Sequence, residues 1–70
     1  MIVYVIKRFT DYESSQIIKA FKHKKDALAF CSEEIIKIHD NDFHKEKIEG
    51  LPTGYRTGDK GCIYVEMKVE

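Results

Sequence analysis

Five side chains carry the groups most used for metal binding or nucleophilic catalysis: His23, His39, His44, Cys31 and Cys62. Their spacing suits neither task. Two histidines on one helix face share a metal when they stand at i and i+4, and His39 and His44 are one position too far apart. There is no Cys-x-x-Cys, and the two cysteines fall on different elements. A nucleophilic thiol needs a base within hydrogen-bond reach and access to substrate. Cys31 lies instead on the apolar stripe of a helix, where cysteine acts as a small hydrophobe. The paired acids Glu33/Glu34 and Asp40/Asp42 read as solvated carboxylates. The expectation is no catalytic residue, no metal, no cofactor and no enzymatic activity.

Binding chemistry is better represented. Lys22, His23, Lys24 and Lys25 form a basic run at a strand-to-helix corner, where helix N-terminal amides favour anions. With Lys19, Arg56 and a stacking Tyr55, this set describes a nucleic-acid-associated accessory module. Against it, 12 Lys and Arg balance 12 Asp and Glu to a formal net charge of zero. A dedicated nucleic-acid binder usually has a marked basic excess, and no glycine-rich phosphate loop precedes the helix. A protein partner is the preferred expectation. Tyr12 sits at the tip of a polar turn. Tyr55 and Arg56 lie in the loop-rich region, and aromatic and arginine side chains make hot spots. Phe30, Ile36 and Phe43 mark a second, narrower apolar side of the helix. Tyr4 and Tyr64 add aromatic surface on the sheet.

The main helix is expected from Lys24 to His39. Ala27, Leu28, Cys31, Ile35 and Ile38 fall within a stripe roughly 100° wide. Asp26 favours the positive end of the dipole, and Glu33 and Lys37 form an i, i+4 pair. His23 or Lys24 stands where a capping Ser, Thr, Asp or Asn is usual, so packing must hold this end.

Ile2 to Phe9, rich in β-branched and aromatic residues, reads as a strand. Tyr4 and Arg8 share a face with Ile2 and Ile6; Val3, Val5 and Phe9 take the other. After a turn at Thr10–Ser14, a second strand runs from Ser15 to Lys22. There Ile17, Lys19 and Phe21 share one face, and Ile18, Ala20 and Lys22 the other. A further short helix is one reading of Asp42 to Glu49, and the sequence leaves helix, strand and loop open across 42–57. Gly54 to Thr57 reads as a short strand before a tight turn at Gly58-Asp59-Lys60-Gly61. The last strand, Cys62 to Val69, alternates cleanly. Ile63, Val65, Met67 and Val69 are assigned to the helix side, with Cys62, Tyr64, Glu66 and Lys68 outward and Cys62 the more exposed thiol.

Seventy residues make a single domain, residues 1–70, with a small stability margin. The element order predicts an α+β fold: a two-layer sandwich of three or four antiparallel strands, ββα(β)β, with one main helix on one face. The first strand pairs with the second and with the last. One helix leaves the other face uncovered and rich in apolar residues, which points to a homodimer or a protein partner. Two cysteines without a secretory signal fit reduced thiols, and the apolar N-terminal run is too short to span a membrane. A cytoplasmic protein with no membrane partner is expected.

Residues 4–30, YVIKRFTDYESSQIIKAFKHKKDALAF, resemble a family of small phage and bacterial domains of unknown function. The shared pattern is a Tyr-Val strand start (Tyr4, Val5), an acidic turn (Asp11, Glu13), a second strand ending in an aromatic (Phe21), and a helix opening at Asp26 and Ala27. The match covers roughly the first half, and His23 departs from it where a capping hydroxyl is usual. The resemblance implies a ββαβ domain. By class it also implies a phage-encoded inhibitor that binds a host or defence protein.

Overall fold

The computed structural model describes residues 1–11, 13–43 and 46–69. Tyr12 and His44, both singled out in the sequence, lie outside the described residues. The elements are β1 (Ile2–Thr10), β2 (Glu13–Phe21), α1 (Lys24–Asp40), β3 (Ile48–Leu51), β4 (Gly54–Thr57) and β5 (Lys60–Lys68). The strands form one antiparallel sheet in the order β2-β1-β5-β4-β3, and α1 packs on one side, mainly across β4 and β5.

The α+β layering and the pairing of β1 with β2 and β5 match expectation. The strand count does not: there are five. Ile48–Leu51, placed in the short helix and loop by sequence, pairs with Gly54–Thr57 as a hairpin. Asp42 and Phe43 are not helical. β4 closes onto β5 through Gly58 and Asp59, with Thr57 opposite Lys60. Gly58 has φ +60, a conformation glycine adopts without steric cost.

α1 buries Ala27, Cys31, Ile35 and Ile38. Leu28, at the stripe's margin, is 36% exposed. His23 is the N-cap and makes no side-chain capping bond; its carbonyl accepts from Ala27 N–H. At the other end Asn41 Nδ2 donates to Lys37 O. Lys37 pairs with Glu34 at 3.5 Å rather than with Glu33. Packing, more than capping, holds the helix. Each fully buried Ile is worth about 1.5–3 kcal/mol.

The facing of β5 is the reverse of expectation. Cys62 (0% exposed) and Tyr64 (6%) lie under the helix, in a core with Ile6, Ala27 and Cys31. The reason is size. Cys31 approaches to 3.7 Å between sulfurs, and a residue as large as Ile63 at that position would hold the helix off. Both thiols are free and fully buried. Cys62 donates to Cys31, which lowers the Cys31 pKa; the same bond, with burial, pushes the Cys62 thiol up.

β2 also departs from simple alternation. Lys19 is opposite Ile6 and Ile17 is opposite Lys7, so Ile18 is an extra residue, a β-bulge. A bulge shifts the alternation by one. Lys19 and Phe21 therefore face the helix side, while Ile17 and Ala20 face the other.

Candidate functional site

The most distinctive surface is the side of the sheet that α1 does not cover. Register places Val3, Val5, Lys7 and Phe9 of β1 beside Met67, Val65, Ile63 and Gly61 of β5, with Ala20 and Ile17 of β2 outside them. Val5 is shielded by its neighbours Ala20 and Val65 and is 6% exposed. Ile17 is 64% exposed and Met67 45%. Ile63 and Val65 are half-buried. No element among the described residues packs over this face.

One end of the face is closed by the chain itself. Phe9 lies over Gly61, where an added Cβ would collide with its ring. The Arg56 guanidinium sits 5.9 Å from the Phe9 ring centroid. Its Nη2 donates to Asp11 Oδ2 at 3.1 Å and to Gly58 O at 2.9 Å. Arg56 is thus a clasp between the β1–β2 and β4–β5 turns.

No family model, no curated protein and no solved structure matches this chain.

The residues marked as binding candidates scatter. Tyr4 and Tyr64 meet edge to face, with centroids 5.8 Å apart, on the helix side rather than the open one. Tyr55 packs against the core. Phe30 is tilted against Phe21 at 5.4 Å, and the Lys19 ammonium lies over both rings. Ile36 is 51% exposed. It stands six residues from Phe30, roughly 120° around the helix axis, so the two do not form one patch. Phe43 is 94% exposed beyond the helix end. Lys22, Lys24 and Lys25 are exposed at the corner, and Lys19 has turned away onto the aromatic pair.

A second feature lies where β4 stops. Tyr64 N–H donates to Thr53 O, and past that point no described strand lies beside β5 on this side. The gap opens into a cleft of about 440 Å³ lined by Tyr4, Lys24, Thr53, Tyr64 and Glu66, with the Ile63 and Val65 positions of β5. Tyr64 is nearly buried.

No group of three or more His, Cys, Asp or Glu is placed to hold a metal among the described residues. No described helix is long and apolar enough to cross a membrane.

The sequence reading named the apolar face correctly as a kind of surface but gave it the wrong residues from β5. Of the residues expected there, Val3, Val5 and Ile17 are members and Tyr64 is not; Ile63, Val65 and Met67 of β5 take its place. The signal available was the small volume of Cys62, in register for contact with a helix stripe that contains Ala27 and Cys31.

Proposed function

We propose that this chain is a small non-enzymatic protein-binding module that acts as a homodimer and uses its helix-free sheet face to hold a partner. The observation that carries the reading is the row of Val3, Val5, Ile17, Ile63, Val65 and Met67 on a face that no element covers among the described residues. Antiparallel sheets usually put polar residues on a solvated face. Three nine-residue and two four-residue strands cover a footprint of about 550 Å² at standard strand spacing. That is comparable with the roughly 800 Å² that one partner contributes to a standard interface. Zero net charge removes one obstacle to association. The resemblance of the first half suggests a host or defence protein as the partner and inhibition as the outcome.

The test is affinity capture with wild type and Ile17→Asp side by side, with circular dichroism on both. A protein held by wild type and released by the variant supports the reading; equal capture by both, or none by either, ends it.

A nucleic-acid role is the second reading. It is favoured by Lys22, Lys24 and Lys25, which are exposed at one corner. It requires binding that weakens steeply with salt, so the absence of any DNA or RNA mobility shift at low salt removes it.

A further inference from the structure

The second half of β5 is an unfinished edge inside the sheet. Along an antiparallel strand, backbone groups point alternately to the two neighbours. Tyr64 N–H points to the β4 side and Val69 N–H to the β1 side, where Met1 O accepts it. Glu66 and Lys68 therefore direct their N–H and C=O groups at the side where β4 has ended, with no described strand to meet them. Both side chains are exposed, as are Met67 (45%) and Val69 (43%). An unpaired edge is a template for another strand.

We propose that this edge pairs with the same edge of a second copy, antiparallel about a twofold axis at Met67. The inference rests on the homodimer reading above and names its interface. Register decides the occupant. Only alternate residues offer bonds to this side, so a self-pairing can slide only in steps that keep Glu66 and Lys68 in hydrogen-bonded positions. Setting Glu66 opposite its own copy juxtaposes two carboxylates, and setting Lys68 opposite its own copy juxtaposes two ammonium groups. The register between these places Glu66 opposite Lys68 of the second copy, twice, with Met67 opposite Met67 and Val65 opposite Val69. Opposite charges facing across strands stabilise a pair and like charges destabilise it. The sequence is thus self-complementary in one register, as an isologous interface requires.

The two outer edges of the sheet are poorer, and β3 offers only four residues. β2 is nine residues long but is interrupted by the Ile18 bulge and by a second irregularity between Arg8 and Thr10. In the β5 pairing the axis runs through the sheet. Both helices then lie on one side, and both helix-free faces join on the other as a single wide platform.

Sedimentation velocity on the full chain tests this. Wild type is expected as a dimer. Glu66→Lys and Lys68→Glu should each weaken dimerisation by about tenfold or more, since two attractive pairs become repulsive. An equimolar mixture of the two variants should recover the dimer, because each supplies the charge the other lacks. Met67→Cys should crosslink to a covalent dimer under mild oxidation, while Ile17→Cys, on the same face but at the β2 edge of the sheet, should not. A dimer that survives both reversals keeps the homodimer reading and overturns this interface. A monomeric wild type overturns both. Reversals that dissociate the dimer without recovery on mixing overturn the proposed register.

Discussion

On the helix side of the sheet, Ile6, Cys62 and Tyr64 are at most 6% exposed. On the other side Val5 is equally shielded, but Ile63 and Val65 of β5 are half-buried, Met67 further along is 45% exposed and Ile17 of β2 is 64% exposed. Sequence alone makes the two sides of β1 and β5 almost equally apolar. What separates them is volume. Where helix and sheet come closest the helix side is small, Ala27 and Cys31 meeting Cys62, and the larger Ile6, Ile35, Ile38 and Tyr64 fill the space around that contact. The open side carries branched and long side chains suited to meeting another surface. Hydrophobicity shows that both faces seek cover; the size pattern shows which is covered within the chain.

The largest effect should come from breaking the covered side. Ile6→Ala is expected to cost about 2–5 kcal/mol, read as a lower midpoint in urea at unchanged slope. Gly61→Ala sharpens the comparison at the join between faces. Its Cβ would meet the Phe9 ring and Tyr55 O, and overpacking of this kind costs about 1–3 kcal/mol; thermal melting measures it. Removing the clasp with Arg56→Ala should cost about 1 kcal/mol or less, because the pair with Asp11 is half-exposed, and added salt should shrink the difference. On the open side, Ile17→Asp should change stability by less than about 0.5 kcal/mol. If it instead destabilises as much as Ile6→Ala, the two faces are not different in kind.

The smallest effect concerns the buried thiols. Cys62 donates its proton to Cys31 and is desolvated, so its folded pKa lies above the ordinary thiol range, while Cys31 is shifted down by accepting that bond. Between them the folded pair keeps one proton that unfolded thiols release near ~8.5. The raised Cys62 pKa contributes stability that is lost as pH rises above that value, the lowered Cys31 pKa contributes stability that is lost as pH falls below it, and above it the retained proton decides the sign. Wild type should therefore lose under about 1 kcal/mol by pH ~9 relative to Cys62→Ala, as compared by melting across an alkaline series.

Much of the fold was legible in sequence. The stripe of Ala27, Cys31, Ile35 and Ile38 fixed the helix, the β-branched run Ile2–Ile6 fixed the first strand, and the Gly58–Gly61 turn marked the β4–β5 hairpin. The missed strand at Ile48–Leu51 has a physical cause. Four residues containing Glu49 and Gly50 have weak strand propensity, and they are held by pairing with Gly54–Thr57. The β2 faces were misread because Ile18 interrupts the period, and no local pattern announces a bulge among Ile17, Ile18 and Lys19. The binding candidates were chosen by residue type. Tyr4, Tyr55, Tyr64 and Arg56 are types enriched at interfaces, but here they fill the core or clasp turns.

The bulge at Ile18 bears on how the chain behaves when concentrated. A straight nine-residue border with two exposed isoleucines would invite endless strand-on-strand stacking into fibrils. One surplus residue bends and twists that border, so that a neighbouring chain cannot lie flush along it. Removing Ile18 would straighten the border from Gln16 to Phe21, and the shortened chain is expected to take up thioflavin T on storage under conditions where the parent stays clear.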